Sequence, residues 1–318
     1  MELAELKTVA ITGLGTMGRG IAQSLAAAGY RVHCHDASSE VLDRARPLIE
    51  SIQHTLIGAG HLPQQQAAAA LERIRLFPAL DLCVKGAQLV VEAVPEILDL
   101  KLELYARLDQ LCAPRAVFAS NTSGLSITCL AAATRRPAQV AGFHWWNPAH
   151  LMPLVEVTKG RQTSDETAGL LLGLAHRLGK RPILVTRDVP GFVGNRLQFA
   201  VFREALHLVQ EGIASPEDVD TAMKAGPGLR YAFLGPLETA DLGGLDVFEK
   251  ISSYLFAQLD SASKAPACLG GRVEAGKLGV KSGEGFYDYR GRTLEELLAA
   301  RDDTLIRLLR ALGEGQEE

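Results

Sequence analysis

The pattern that most constrains this chain lies in its first 36 residues. An apolar run, TVAIT, is followed by Gly13, Gly15 and Gly18 and then by a stretch with helical periodicity. Glycines at this spacing let the backbone turn sharply and bring its N–H groups against a pyrophosphate, whose charge a helix N-terminus favours. The alternative is a glycine-rich turn without a ligand. The residues expected to line the phosphate site are Gly13, Gly15, Thr16, Met17 and Gly18.

Asp36 indicates which dinucleotide binds at this turn. It ends the second predicted strand, 21 residues after Gly15. A carboxylate at this point accepts hydrogen bonds from the hydroxyls of the adenosine ribose and repels a 2′-phosphate. The sequence therefore favours NAD over NADP as the cofactor.

Short apolar runs alternate with helical periodicity as far as residue 186, which is typical of a doubly wound, Rossmann-type α/β sheet. The predicted strands are 8–12, 30–36, 74–77, 89–94, 116–121, 140–146, 154–158 and 182–186. After DVPGF the pattern becomes almost entirely helical, over 192–212, 215–225, 236–260 and 293–312. A length of 318 residues also favours two domains. We expect an NAD-binding α/β domain over 1–188 and an all-α domain over 189–318.

Composition excludes several classes of function. A net charge of −4 with interleaved signs gives no basic surface for nucleic acid, so a small molecule is the expected partner. The chain shows no transmembrane run and no signal-peptide pattern, and its five scattered cysteines suit free thiols, so we expect a cytoplasmic protein that binds no membrane. The triplet His33-Cys34-His35 does not favour a metal site, because neighbouring residues on a strand point to opposite faces.

A polar pair inside an apolar segment is the candidate reaction centre. The segment GFHWWNPAHLMPLVEV contains His144 and Glu156 on two predicted strands joined by a loop. Burying an imidazole without a partner costs about 1–3 kcal/mol. If the carboxylate binds one ring nitrogen, the other becomes a base that can take a proton from an alcohol. The spacing leaves a second interpretation open, in which His144 is a satisfied core histidine and Glu156 a surface residue of an edge strand.

Two further polar stretches add candidates. SNTSG follows a buried strand, at the edge where open α/β sheets bind ligands, so Ser123 is a candidate donor to the reacting oxygen as well as a candidate helix cap. Asn195, in DVPGFVGNRLQ, lies on the first turn of a predicted helix. For Asn195 a capping or interdomain role is the alternative.

Six stretches together make the chain resemble the L-3-hydroxyacyl-CoA dehydrogenase family over essentially its full length. They are GLGTMGRGIA, VVEAVPE, SNTSGLSI, GFHWWNPAHLMPLVEV, DVPGFVGNRL and GVKSGEGFYDY. The resemblance implies an NAD domain, a helical domain that forms a homodimer, and chemistry in the cleft between them. It also implies NAD-dependent oxidation of the 3-hydroxyl of a 3-hydroxyacyl-CoA or of a small 3-hydroxy acid.

The same resemblance implies roles for single residues. His144 is the base, Glu156 is the carboxylate that orients it, and Ser123 and Asn195 polarise the substrate carbonyl. The residues that it assigns to the cofactor are Glu96, Lys101, Asn147 and Lys281.

The helix after Asp36 departs from the acyl-CoA members of the family. Those members place lysines at its end, against the phosphates of CoA, whereas the stretch ESIQHTLIGAGHL keeps Ser51 as a substrate contact but has Gly58 at the lysine position. The stretch GPGLRYAFLGPLE instead resembles the branch that oxidises free small hydroxy acids or alcohols, with gulonate, carnitine and pyridine-alcohol dehydrogenases. Arg230, in that stretch, is either the partner of a free carboxylate or a helix-end charge without a ligand.

Two other function classes are weighed against this one. The first is a non-catalytic NAD-binding protein of the lambda-crystallin kind, against which the intact reaction-centre residues argue. The second is the β-hydroxyacid dehydrogenase family, suggested by GLGTMG, which uses a catalytic lysine on an interdomain helix. The corresponding helix here offers Asn195 and Arg196 instead of a lysine.

Overall fold

The computed structural model describes residues 1–314. The chain divides into two compact units, of which the first spans Met1–Arg196 and the second begins at Leu197. The domain limits given above, 1–188 and 189–318, stay a prediction.

The first unit is built on one sheet of eight strands. The strands are β1 (Thr8–Thr12), β2 (Arg31–His35), β3 (Ile74–Phe77), β4 (Leu89–Glu92), β5 (Val117–Ser120), β6 (Val140–Trp145), β7 (Leu154–Lys159) and β8 (Arg181–Val185). Their order is β3-β2-β1-β4-β5-β6-β7-β8, and every neighbouring pair is parallel except β6 and β7. Strands covered on both faces are apolar along their whole length. Strands β1, β4, β5 and β6 are buried along their whole length, which accounts for their apolar runs. All eight predicted runs are strands, and the predicted doubly wound α/β fold is confirmed.

Seven helices pack on this sheet. They are α1 (Thr16–Ala27), α2 (Ser39–Gly58), α3 (Gln64–Arg73), α4 (Leu80–Val84), α5 (Leu98–Leu111), α6 (Ile127–Ala132) and α7 (Asp165–Arg177). Helical periodicity in the sequence predicts five of them, over 16–28, 38–57, 98–112, 125–133 and 165–178, but not α3 or α4. Helix α3 has the sequence QQQAAAALER, whose run of alanines gives a weak periodicity, and α4 has only five residues.

The two faces of the sheet separate the neighbouring aromatic and polar residues of β6. Because successive side chains alternate along a strand, Phe143 and Trp145 enter one core layer, where their rings meet edge to face at 5.5 Å. His144 points to the other face, where its ring lies 5.9 Å from that of Phe192.

The second unit is helical. Helix α8 (Gly194–Gln210) begins in the first unit and continues into the second, and it is followed by α9 (Pro216–Ala225), α10 (Pro227–Tyr231), α11 (Pro236–Gly243), α12 (Leu245–Leu255), α13 (Ala267–Glu274) and α14 (Leu294–Glu314). The single helix predicted over 236–260 was wrong. Gly244 has a φ of 91°, a conformation through which an α-helix cannot continue, so the stretch forms α11 and α12. Within residues 1–314, no helix combines the length and apolarity needed to cross a membrane.

Candidate active site

The register of β6 and β7 brings the predicted pair together. The strands are antiparallel, and His144 lies directly opposite Glu156. Directly opposite residues share a face of the sheet, so side chains twelve residues apart in sequence come into contact. His144 Nδ1 lies 2.8 Å from Glu156 Oε2, and the two residues are 5% and 0% exposed. The alternative interpretation, with Glu156 on the surface of an edge strand, is therefore wrong.

Four donors hold the carboxylate of Glu156. Oε2 accepts from His144 and, at 3.3 Å, from Nε1 of Trp146. Oε1 accepts from the main-chain N–H groups of Val193 and Gly194, both at 3.0 Å. Burial acts to raise the pKa of Glu156, but the hydrogen bonds from His144, Gly194 and Val193 outweigh it and hold that pKa below its usual value. An ionised carboxylate can only accept, so His144 Nδ1 carries a hydrogen, and in the neutral imidazole Nε2 has the lone pair.

The main chain before α8 is shaped to present these two N–H groups. Phe192 is buried and has a φ of 49°, which is unusual for a residue with a side chain and is found mainly where function requires it. The segment is tied to the start of α6 by Asp188, whose Oδ2 accepts from the hydroxyl of Ser126 at 2.8 Å and from the N–H of Thr128 at 2.7 Å. The turn at Phe192 directs the next two N–H groups at Glu156.

Ser123 is held from both sides at the end of β5. Its N–H donates to Glu96 Oε1 at 2.9 Å, and its carbonyl oxygen accepts from Asn195 Nδ2 at 3.0 Å. The hydroxyl of Thr122 donates to the same Glu96 oxygen. Burial acts to raise the pKa of Glu96, but the Thr122 hydroxyl and the nearby Lys101 charge lower it overall. Since Asn195 directly follows the main-chain donors of Glu156, the two clusters adjoin.

Lys101 lies beneath Glu96 and has 1% of its side chain exposed. Its Nζ donates to Glu92 Oε1 at 2.6 Å and lies 3.2 Å from Glu96 Oε2. The other oxygen of Glu92 accepts from the hydroxyl of Ser120 at 2.6 Å. Lys101 therefore reaches Glu96 rather than the surface, and its effect on a bound cofactor would pass through that carboxylate.

The glycine turn between β1 and α1 has the shape of a phosphate cradle. A Cβ on Gly13, which has a φ of 94°, would lie 2.5 Å from the carbonyl oxygen of Ala93, and one on Gly18 would collide with the carbonyl of Gly13. A Cβ on Gly15 would instead meet nothing within 4 Å. Two of the glycines are thus required by packing, whereas the third keeps the approach to the backbone open.

The start of α1 and the carboxylate after β2 complete this cradle. Gly15 is the N-cap of α1 and no side chain caps the helix, so its first N–H groups, which include those of Thr16 and Met17, face an open site. Asp36 accepts from the N–H of Leu14 at 2.8 Å, which holds the carboxylate against the turn. These residues fit a dinucleotide with its pyrophosphate at α1 and its adenosine ribose at Asp36.

The remaining predicted residues lie apart from these clusters. Asn147 is exposed in the loop that follows β6, and Ser51 and Gly58 are exposed on α2. Arg230 and Lys281 are exposed in the second unit. The roles proposed for all of them stay predictions.

The histidines of β2 face main-chain oxygens. Nδ1 of His33 lies 3.0 Å from the carbonyl oxygen of Cys83, and Nδ1 of His35 lies 3.1 Å from that of Phe77. Across residues 1–314, no group of three or more His, Cys, Asp or Glu residues is arranged to hold a metal ion.

Three of the four donors to Glu156 could not be predicted from the sequence. Val193 and Gly194 use main-chain N–H groups, which leave no signal in the residue types. Trp146 is visible as part of an unusual tryptophan pair, but its bond to the carboxylate depends on side-chain direction. Gly194, the glycine of VGN, comes nearest to indicating this arrangement in the sequence, because a Cβ at this position would collide with the ring of Trp146.

Comparison with known proteins agrees with this geometry. Residues 8–189 match the NAD binding domain of 3-hydroxyacyl-CoA dehydrogenase, and residues 191–289 match its C-terminal domain. The chain is 37% identical over 312 residues to 5-formyl-3-hydroxy-2-methylpyridine 4-carboxylate 5-dehydrogenase of Mesorhizobium japonicum, a match that covers 98% of this chain and 100% of that protein.

Two crystal structures extend the comparison. One is the structure of a 5-formyl-3-hydroxy-2-methylpyridine 4-carboxylic acid 5-dehydrogenase, an NAD+-dependent dismutase. It superposes with a TM-score of 0.91 at 37% identity, and the match covers 98% of this chain and 100% of that one. The other is the structure of (S)-3-hydroxybutyryl-CoA dehydrogenase from Ralstonia eutropha. It superposes with a TM-score of 0.74 at 38% identity, and the match covers 90% of this chain and 99% of that one. The chain therefore belongs to the 3-hydroxyacyl-CoA dehydrogenase family and is an NAD-dependent oxidoreductase.

Proposed function

We propose that this oxidoreductase oxidises the hydroxyl-bearing carbon of a small free carboxylic acid, with His144 as the base. The observation that carries the proposal is the buried contact between His144 and Glu156, at 2.8 Å. An imidazole whose Nδ1–H is held by an ionised carboxylate has one free basic nitrogen and a stabilised protonated form. Alcohol oxidation requires that combination.

In the proposed reaction, Nε2 of His144 takes the proton of the substrate hydroxyl. Glu156 stabilises the imidazolium that forms and keeps the ring in its orientation. Ser123 and the second amide hydrogen of Asn195 donate to the oxygen as it becomes a carbonyl, which stabilises it most in the transition state. NAD, when bound, supplies the acceptor for the hydride that leaves the same carbon.

The residues proposed to hold NAD surround the turn described above. Gly13, Gly15, Gly18 and the N-terminus of α1 bind the pyrophosphate, and Asp36 binds the adenosine ribose. Towards the nicotinamide end we propose Glu96, with Lys101 acting through it, together with Asn147 and Lys281.

The charge pattern of α2 supports a free acid over a CoA thioester. No lysine or arginine occurs between Arg46 and Arg73, so the exposed end of α2, at Gly58, offers no cation to the phosphates of CoA. The close superposition on a pyridine carboxylate dehydrogenase points the same way. We propose Arg230 as the partner of the substrate carboxylate.

A 3-hydroxyacyl-CoA is the second candidate substrate. It is favoured by the likeness to (S)-3-hydroxybutyryl-CoA dehydrogenase and by the retention of Ser51 on α2. In that case the phosphate contacts of CoA come from groups other than α2.

A panel of NAD-reduction assays separates the two candidates. 3-Hydroxybutyrate and 3-hydroxybutyryl-CoA differ only in the CoA group, and carnitine, gulonate and a hydroxymethylpyridine carboxylate extend the free acids. We expect at least one free acid to exceed the thioester in kcat/KM by tenfold or more. A tenfold preference for the thioester would overturn the proposal, and no NAD reduction with any compound would favour the non-catalytic alternative.

Gly58→Lys provides a matched gain-of-function test. A side chain at this position meets nothing within 4 Å, so the fold should tolerate it. A cation there should raise kcat/KM for the thioester while that for the free acid stays within twofold. Arg230→Met should do the reverse and lower kcat/KM for the free acid alone.

We also propose that the protein is a homodimer through its second unit. The stretch from the start of α11 to Phe256, the residue after α12, exposes large apolar side chains, including Leu237 at 80%, Leu242 at 75% and Phe256 at 70%. Patches of this kind on a soluble protein are usually covered by a partner. Sedimentation at micromolar concentration should give twice the chain mass, and Leu237→Glu should give the monomer. A monomeric wild type would refute this proposal.

A further inference from the structure

The two tryptophans of the chain, Trp145 and Trp146, are neighbours whose indole N–H groups have different surroundings. Nε1 of Trp145 is buried and has no hydrogen-bond partner among the described residues. Nε1 of Trp146 donates to Glu156 Oε2, the oxygen that also accepts from His144. The indole N–H of Trp146 therefore lies next to the proposed base, His144, whereas that of Trp145 does not.

The position of the Trp146 ring is set by close packing on two sides. Its centroid lies 5.8 Å from that of the His144 ring, at an interplanar angle of 52°. On the other side lies Gly194, where a Cβ would collide with the indole. The ring thus fills the space between the base and the first residue of α8, with its N–H directed at the carboxylate.

We infer that Trp146 is a positioning residue that sets the basicity of His144 through the carboxylate oxygen the two side chains share. The inference rests on the proposed role of His144 as the base. A carboxylate has about four acceptor sites, and the four donors described above occupy them. Each donor withdraws charge from Glu156, so less remains to stabilise the imidazolium. The indole N–H therefore leaves Glu156 less able to stabilise the imidazolium of His144 than it would be without this donor.

Other titratable groups lie on the elements around this contact. They are Glu96 after β4, His150 in the loop after β6, Lys159 on β7, Lys180 and Arg181 at the start of β8, and Arg187, Asp188 and Arg196 around the start of α8. Lys159 is paired with Asp165 at 2.6 Å, Asp188 is bound to the start of α6, and the turn 121–128 carries no titratable group except the exposed Cys129 that follows it. All of these groups are unchanged in a comparison between variants of the two tryptophans.

Trp146→Phe and Trp145→Phe form the matched test. Each removes one indole N–H and keeps an aromatic ring, and both are compared with wild type in the pH dependence of kcat/KM for oxidation. Trp146→Phe should raise the midpoint of the rising limb by about 0.5 pH unit, equivalent to about 0.7 kcal/mol. Trp145→Phe should leave the midpoint within 0.1–0.2 pH unit, roughly the precision of such a profile, even if it lowers stability.

A residue that only fills space would change the height of the profile at every pH without moving its midpoint. An unshifted midpoint in Trp146→Phe, or an equal shift in both variants, would overturn the inference. If Trp146→Phe does not fold, Gly194→Ala displaces the indole from Glu156 while the sequence keeps both tryptophans. It should raise the midpoint in the same direction, and an unmoved midpoint there would overturn the inference as well.

A second measurement needs no turnover. Trp145→Phe leaves Trp146 as the single tryptophan, and a protonated imidazole quenches a neighbouring indole more strongly than a neutral one. Its fluorescence should titrate with His144, and the titration should vanish when His144→Gln is added. A fluorescence that ignores pH would show that the contact is absent. If His144→Gln retains turnover, the proposed function is refuted. If His144→Gln abolishes turnover but Trp146→Phe leaves the midpoint of the pH profile unmoved, only the inference about Trp146 is refuted.

Discussion

Glu156→Gln is the substitution with the most clearly defined consequence. Each oxygen of Glu156 accepts from two donors, the main-chain N–H groups of Val193 and Gly194 on one side and His144 and Trp146 on the other. A glutamine keeps one acceptor oxygen and replaces the other with an NH₂ group. Whichever way it turns, two N–H donors then face a donor.

The cost to stability follows from these bonds: at most two are lost, and one is lost if His144 changes tautomer and accepts from the NH₂ group. Hydrogen bonds to a charged group contribute about 1.5–3 kcal/mol each, which gives an upper value of about 3–6 kcal/mol. Part of this is offset because a buried charge no longer has to be desolvated. We expect the free energy of unfolding to fall by about 2–4 kcal/mol.

The cost to activity follows from the tautomer of His144, the proposed base. The main-chain donors cannot move, so the amide oxygen should turn to them and the NH₂ group to His144. The imidazole must then accept at Nδ1 and carry its hydrogen at Nε2, which removes the base. The matching Asp→Asn change in a Ser-His-Asp triad costs about 10⁴-fold in kcat for this reason, and we expect about 10³–10⁴-fold here.

Urea denaturation and saturating NAD-reduction assays measure the two effects. Asp109→Asn is the matched control, because Asp109 is also a buried carboxylate but binds Arg135 and Arg136, both at 2.7 Å. It should lower stability and leave kcat within twofold. If Glu156→Gln kept kcat within tenfold of wild type, the argument from the tautomer would be refuted.

The glycine turn and a buried lysine give further predictions. Gly15→Ala should fold normally but bind NADH at least tenfold more weakly, since its Cβ meets no protein atom within 4 Å and enters the phosphate site. Gly18→Ala should also lower the melting temperature, because its Cβ would collide with the carbonyl of Gly13. Calorimetry of both variants tests this, and an unchanged NADH affinity in Gly15→Ala would count against the phosphate cradle. Lys180 donates to the carbonyl oxygens of Ala149 and Met152, and burial lowers its pKa to about 8. A lysine in the unfolded chain stays protonated to about pH 10.4, so between about pH 8 and 10 the unfolded state binds more protons than the folded state. The free energy of unfolding should therefore rise with pH in this range, by up to about 1.4 kcal/mol per pH unit relative to Lys180→Met. Urea denaturation at pH 7.5 and 9.5 tests this, and parallel behaviour of the two proteins would refute it.

The sheet was predictable because its central strands are buried along their whole length and leave apolar runs of strand length. The contact between His144 and Glu156 was not, since it depends on the register of an antiparallel pair, and a slip of one residue would turn His144 and Glu156 to opposite faces. The spacing of twelve residues fits either outcome, because the loop after Trp146 sets the register.

Other parts of the site depend on how deeply a side chain is buried and on where a side chain or a main-chain N–H points. Residue types do not encode either of these. Lys101 occupies the position expected for a cofactor contact, yet its side chain ends in a buried network with Glu92 and Glu96. The turn at Phe192, which presents two N–H groups to the carboxylate, has no marker except its neighbouring glycines. A chain of apolar residues and glycines gives no indication that its backbone supplies hydrogen bonds to a reaction centre.

The turnover of His144→Gln tests the central claim most directly. Glutamine keeps a polar side chain of similar reach but cannot take a proton, so NAD reduction should fall by at least about 10²–10⁴-fold, while the affinity for NADH, measured by fluorescence, stays within about threefold. Most of the wild-type rate remaining in this variant would contradict the account, because the account assigns removal of the hydroxyl proton to His144 alone.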